Sequence, residues 1–495
     1  MHSTLTGGTP FARRVATMRS ALDNGPMLGA RETDAQRFLA YHSLRLAGHG
    51  AATDYARLLL ESLGAQVTSS SGKADLDPAS AWAHSGLMSL TGFAEGPAQM
   101  CPAPLASCAD GAIKALACLA PPALGAGLPA GSTLLGERAA IMGLRRNGYC
   151  SPGGSCRLLQ ASDAWLAVNL AREADWLATS AWLTDESIKC WDDVSAAVRA
   201  HGAEALLERA RLLGLPVSRC EPAIQAAPWC SVVHTGLPAH SGDLGRAPLV
   251  VDLSSLWAGP LCSHLLQMLG AHVVKVETRA RPDGARSGPE KFYDLLNHGK
   301  RSVALEFDDR GIAHLHALLS RADIVIEASR PRALRQLGII AERWVDSRPG
   351  LTWISLTGHG REEPFGNWVA FGDDAAVAAG LSTLMLKVTG SPVICGDAIA
   401  DPLTGIHAAL AAWSSYLSGG GRLLSLSLRD VISHCASFRL PDNEVRLRQR
   451  WRTWTRRVCD AGLDEIAPRA RLPTGRARPL GADSDAVIAE FAAAC

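Results

Sequence analysis

From Pro248 onward, apolar runs that read as strands alternate with amphipathic stretches that read as helices. Leu249–Leu253, His272–Glu277, Ser302–Leu305, Ile324–Glu327 and Leu351–Ser355 are strand-like, and Pro260–Leu269 and Gly311–Ser320 carry helical spacing. Strand, helix, strand in this order predicts an α/β fold with a doubly wound parallel sheet. Such sheets bind ligands at the carboxyl ends of their strands, beside helix N-termini with unpaired N–H groups.

The first half repeats the plan more faintly. Thr53–Ala65 can be laid on Gly259–Ala271 without a gap, and Val67 then falls on Val273. Pro104–Leu116 lies on Ala398–Leu410, which places Gly111 on Gly405 and Ser107 on Asp401. The pattern predicts an internal duplication whose N-terminal copy lacks the carboxylate and most of the intervening sheet. Arg157–Gln160, Trp165–Asn169 and Gly214–Val217 predict a small α+β domain at about 151–220. The expected division is therefore 1–235, a linker at 236–246 rich in Gly, Pro and Ser, an intact α/β unit at 247–430, and a tail at 431–495. That tail is Arg-rich and Pro-punctuated, with one closing helix at Asp483–Ala493.

Length and charge narrow the possibilities. With 495 residues, several domains are expected, and 49 Lys+Arg against 48 Asp+Glu gives no composition-level case for nucleic acid or an acidic membrane as partner. The 13 cysteines are scattered without C-x-x-C pairs, so neither a disulfide framework nor a metal site is expected. Met1–Arg14 lacks a leader-type apolar run, and no apolar stretch reaches about 18 residues. A cytoplasmic protein is expected.

Five ordered motifs carry candidate chemistry: Asp252–Pro260, Gly270–Glu277, Asn297–Ser302, Ala322–Leu334 and Asp401–Gly405. In this order they resemble the class III (CaiB/BaiF-type) CoA-transferase family, closely over 248–430 and loosely over 151–220 and 467–492. The resemblance implies a Rossmann-like large domain joined to a small domain, with two subunits interlocked like chain links. A fused chain would then be a pseudo-dimer with one complete active site, either sufficient as a monomer or pairing again as a homodimer. Activity of 246–495 alone would contradict that arrangement.

The resemblance also implies the chemistry. Asp401 would be the nucleophile, attacking an acyl-CoA thioester and becoming an aspartyl–CoA thioester on the way to an acceptor carboxylic acid. Acyl-CoA is thus substrate, and no tightly bound cofactor is implied. Leu256, Trp257, Thr278, Asn297, Lys300, Ala328 and Pro331 would line the CoA pocket. Arg279, Arg330, Arg332 and Arg335 could pair with its phosphates, whereas Gln336 stands where the family has an Arg. From the residues themselves, Asp401 before Pro402 also has the pattern of a helix N-cap followed by Pro at the first helical position. Asp397 is the nearest competing carboxylate.

Two other functions stay open at this level. An acyl-CoA racemase or isomerase is disfavoured, because Phe371-Gly372-Asp373-Asp374 stands where related racemases carry Gly-His-Asp, and His359 and His407 are expected to be core or solvated residues. A catalytically silent CoA-binding protein is consistent with the degenerate first half. Gly153-Gly154 is a candidate active-site lid, Gly419-Gly420-Gly421 a turn, and Trp82, Ser85–Met88 and Trp165 core or interface positions.

Overall fold

A computed structural model describes residues 37–221, 224–239 and 246–492. Met1–Arg14, residues 240–245 of the expected linker and Ala493 lie outside them.

The N-terminal unit opens with β1 (Ser43–His49), α1 (Ala51–Ser62) and β2 (Gln66–Ala74), with the two strands paired parallel in a sheet of their own. The helices that follow include α2 (Leu105–Leu119) and α3 (Glu137–Met142). The small domain is an antiparallel sheet of β3 (Cys156–Gln160), β4 (Trp165–Asn169) and β5 (Val217–Arg219), covered by helices including α4 (Ala203–Leu213). Leu166, Trp182, Val194, Leu206 and Val217 give it a core of its own, as the α+β pattern predicts.

β6 (Ser231–Thr235) then leaves the small domain and joins the large sheet antiparallel to its last strand. The remaining elements are β7 (Leu249–Asp252), α5 (Ala258–Met268), β8 (His272–Thr278), β9 (Arg301–Leu305), α6 (Asp309–Leu319), β10 (Ile324–Glu327), α7 (Pro331–Gln336), β11 (Thr352–Thr357), α8 (Gly372–Ala378), α9 (Ala400–Leu417) and β12 (Arg422–Ser427). Strand order is β6-β12-β11-β10-β7-β8-β9, parallel throughout except for β6. Order reverses at β7, whose neighbours β8 and β10 carry the chain away on opposite sides, so a ligand crevice opens above the carboxyl end of β7.

The sequence reading of the tail needs correction. Besides the closing helix α12 (Ser484–Ala492), it contains α10 (Leu428–Ser437) and the long helix α11 (Glu444–Asp460). α12 packs on α6 and β9, where Asp483 and Ser484 accept and donate hydrogen bonds along the β9 edge. This covers an edge that would otherwise expose unpaired backbone groups.

One hydrophobic core runs through both halves, from Phe38 and Leu59 to Trp413 and Val431. At its centre α9 is buried on almost every side, as suits a helix packed all round. α1 packs on α2, α5 on α9, and α2 on α9. The paired units share backbone detail. Gly64 and Gly270, each closing the turn after its helix, have φ of 93° and 95°. A Cβ on Gly111 would lie 2.5 Å from the Ala52 carbonyl oxygen, and one on Gly405 would lie 2.6 Å from that of Ala258. Only glycine admits such close helix contact.

Candidate functional site

The polar residues at the carboxyl edge of the sheet are largely structural. Asp252 is fully buried and accepts hydrogen bonds from the Ser254 N–H at 3.0 Å, the Ser263 hydroxyl at 2.5 Å and Lys300 at 3.2 Å, together with the Ser254 hydroxyl. Burial pushes its pKa upward, but Lys300 and Lys275 outweigh burial and hold it at about 2. Lys275 also donates to the Ser254 carbonyl and pairs with Asp283 at 2.9 Å. Glu277 pairs with Arg286 at 2.6 Å. These bonds fix the turn after β7, where Leu256 has φ 69° and its N–H is held by Asp283.

Lys300 and Asn297, expected at the CoA pocket, are both buried and bonded to each other within the turn. Lys300 is 2% exposed, and its ammonium reaches Ser263, the Pro260 carbonyl, Asn297 and Asp252 at 2.7–3.2 Å. Asn297 spends its amide N–H on the Tyr293 carbonyl. The two hold the turn from within. Burial lowers the Lys300 pKa to about 8 against the pull of Asp252.

The other expected contacts stay at the crevice. Leu256 is 41% exposed after β7, Trp257 is buried beneath it, Thr278 and Arg279 end β8, and exposed Ala328 with Arg330 and Pro331 follows β10. The Trp257 indole N–H has no partner among the described residues. Arg279 faces Glu306 at 3.9 Å, and Arg335 pairs with Glu342 at 3.3 Å. Arg330 differs: burial, then the like charges of Arg332, Arg172 and Arg281, lower its pKa. Arg172 reaches it from the small domain, donating to the Gly214 carbonyl at 3.3 Å beside Arg330. Crowded guanidiniums of this kind suit a phosphate.

Asp401 stands in the first turn of α9, not at its cap. Ile399 is the N-cap, so Asp401 and Pro402 are the second and third helical residues, and the Asp401 N–H already bonds to the Ala398 carbonyl at 2.9 Å. Its carboxylate is only partly buried and takes a hydrogen bond from the Gly372 N–H at the start of α8. A Cβ at Gly372 would sit 2.3 Å from Asp401 Oδ2 and 2.4 Å from the Ala398 oxygen, so glycine is required there. Burial pushes the Asp401 pKa up to about 6, while Arg138 and the Gly372 N–H pull the other way.

Three more carboxylates surround it. Asp397, 0% exposed, takes a two-pronged grip from Arg138 of α3, Nε to Oδ2 at 2.8 Å and Nη2 to Oδ1 at 2.6 Å. Asp373 accepts the Ala398 N–H at 2.7 Å, and burial followed by the charge of Asp397 raises its pKa. Asp374 accepts from Phe371 N and from Asn169 Nδ2 of β4, both at 2.9 Å, and burial pushes it to about 7. Arg138 also lies 5.3 Å from the centre of the Trp257 ring. Gly153 borders the cluster, its Cβ position 3.6 Å from Arg138 Nη2 and 3.7 Å from Asp397 Oδ1. The expected lid glycine is thus beside the site, together with Arg138 and Asn169, which the sequence reading missed. Nothing in their local sequence marks them; they are more than 200 residues from Asp401.

No histidine joins Asp401 in this arrangement. His407 bonds through its ring to the Tyr55 hydroxyl and the Leu403 carbonyl, and buried His359 is driven to a pKa of about 3 by burial, Arg429 and Arg211. Trp82 is core, and Trp165 stacks on Tyr149 at 5.2 Å. Gly419, Gly420 and Gly421 form the turn into β12, all with positive φ. No group of three or more His, Cys, Asp or Glu among the described residues is arranged to hold a metal ion, and no described helix is long and apolar enough to cross a membrane.

Residues 248–459 match the family described as CoA-transferase family III. This match lies in the second half of the chain. The chain is 25% identical over 242 residues to the formyl-CoA:oxalate CoA-transferase of Afipia carboxidovorans, covering 46% of this chain and 57% of that one. To the succinate–glutarate CoA-transferase of Agrobacterium fabrum it is 29% identical over 202 residues, covering 37% and 50%. To the succinyl-CoA–D-citramalate CoA-transferase of Chloroflexus aurantiacus it is 26% identical over 259 residues, covering 50% and 63%. The chain therefore spans roughly half to three-fifths of the length of these family III relatives. Among solved structures, Rv3272 of Mycobacterium tuberculosis matches with a TM-score of 0.35 and 26% identity over 41% of this chain and 55% of that one.

Proposed function

We propose that the protein is an acyl-CoA:carboxylate CoA-transferase in which Asp401 forms the aspartyl–CoA thioester. The observation that carries this reading is the placing of Asp401: a partly exposed carboxylate in the first turn of α9, held by the Gly372 N–H, in the half that matches family III. The helix N-terminus favours its anion and opposes burial.

The Asp401 carboxylate attacks the thioester carbonyl, giving an aspartyl–acyl anhydride and CoA thiolate. The thiolate then attacks the aspartyl carbonyl, releasing the acyl group as a free carboxylate. An acceptor carboxylate displaces CoA to form a second anhydride, and CoA returns to its acyl carbon, regenerating Asp401. Anhydrides hydrolyse in water, so the small domain and Gly153 beside the cluster would exclude it. Trp257, whose N–H is unpartnered, and Arg330 would hold CoA with Leu256, Thr278, Arg279, Ala328 and Pro331. The two halves then act as an internal pseudo-dimer, divided at the linker.

The named relatives transfer CoA among short carboxylic acids, and formyl-CoA and succinyl-CoA are therefore the donors to try first, with oxalate, glutarate and citramalate as acceptors. The test is intact-protein mass spectrometry after mixing with donor, with and without hydroxylamine. A CoA-sized, hydroxylamine-sensitive adduct on Asp401 that Asp401→Ala lacks supports the reading. CoA binding with no adduct from any donor makes the protein a silent binder, and solvent deuterium entering the acyl α-position without an acceptor makes it a racemase. Because the nucleophile must be an anion, the rate is expected to fall as pH drops through about 6, the value to which burial raises Asp401. A rate flat from pH 5 to pH 8 would contradict this.

A further inference from the structure

Asp401 lies beside the buried carboxylates Asp397, Asp373 and Asp374, and a nucleophilic carboxylate in that company has two problems. Its neighbours' negative charge favours the protonated, unreactive form, and an unpaired carboxylate beside it would compete for the same donors. The groups facing it are Arg138 from α3, Asp397 on the turn before α9, Asp373 and Asp374 of α8 with the Gly372 N–H, and Asn169 of β4 through Asp374. Arg138 is the cation that both Asp373 and Asp401 feel.

We propose that Arg138 is a positioning residue for Asp401, supplied by the half of the chain that has Ser107 where its own carboxylate would stand. The inference rests on Asp401 being the nucleophile. Geometry supports it in three ways. The fork of Arg138 occupies both oxygens of Asp397, so Asp397 is spent and cannot replace Asp401 as the attacking group. The guanidinium is clamped between that carboxylate and the Trp257 ring, which fixes its charge at the floor of the crevice. Gly153 borders this pair, its Cβ position lying 3.6 Å from Nη2 and 3.7 Å from Asp397 Oδ1, so the main chain of the first half closes over the grip. The carboxylates in return outweigh burial and raise the Arg138 pKa, so it stays charged. On this account the N-terminal half is kept for a charge that the catalytic half does not carry itself.

Removing Arg138 alone would leave Asp397 buried without a partner and could unfold the protein. The comparison is therefore between Asp397→Asn and the double variant Arg138→Met/Asp397→Asn in the full chain, which differ only in the charge at position 138. The readout is the pH midpoint for carbodiimide–amine labelling of the Asp401 carboxyl, followed by peptide mass spectrometry, since the protonated acid is the form that reacts. The double variant is expected to show a midpoint at least about one pH unit above that of Asp397→Asn, the usual effect of losing an opposite charge nearby. Arg138→Lys/Asp397→Asn should return towards the lower value, and it serves as the comparison if the Met variant melts early. Coincident midpoints in folded variants would overturn the inference, leaving Arg138 a strut between the halves. The adduct assay separates the two readings. An adduct with coincident midpoints removes the role of Arg138 and leaves the transferase standing; separated midpoints without any adduct leave the hold on Asp401 standing and remove the transferase.

Discussion

The units β1-α1-β2-α2 and β7-α5-β8-α9 have the same backbone devices and different fates. Both turn through a glycine near φ 94°, and both seat a closing-helix glycine against a carbonyl of the first helix. One sits in a two-stranded sheet, the other in a seven-stranded one. At the position of Asp401 the first unit has Ser107, 1% exposed with its hydroxyl unpartnered among the described residues. The two units thus share a helix frame, and only the second places a carboxylate at this position.

Five substitutions test that comparison. Ser107→Asp is expected to give no CoA adduct, because no crevice lies above β1 and β2, and to cost about 4 kcal/mol in denaturant unfolding for an unpaired buried charge. An adduct at position 107 would mean that the first unit is a dormant site. Gly111→Val and Gly405→Val should each cost roughly 3 kcal/mol, since the side chain meets a carbonyl oxygen that cannot retreat. Loss in only one of them would break the equivalence of the frames. Smallest is the effect at the crevice itself: Arg330→Gln should weaken CoA binding about tenfold by calorimetry, as loss of a charged hydrogen bond does, with Arg335→Gln near wild type because Glu342 already occupies it.

Alternation of apolar runs and helical stretches made the parallel strands legible, since strands buried on both faces are continuous apolar segments. β6 escaped because it is a short, half-exposed edge strand whose pairing, not its composition, makes it a strand. α11 escaped because its Arg-rich sequence buries only Leu447 and Val458, too little for an apolar stripe. Asp401 was singled out by its motif, although the helix begins two residues earlier than a capping Asp would have it. The motif singled out Lys300, and only the tertiary structure shows its ammonium buried against Asp252. Gly372-Asp373-Asp374 was read for the histidine it lacks, when its use is the N–H and the glycine's missing side chain.

The seam between α2 and α9 also sets an order of events during synthesis. α2 ends at Leu119 and its partner α9 begins at Ala400, about 280 residues later. At 5–20 residues per second the ribosome takes roughly 15–60 s to deliver that partner. Through this interval α2 can pack on α1 but the face that meets α9 lacks its partner, and contacts of such long sequence separation form late. The nascent N-terminal half is therefore a natural client for a holding chaperone.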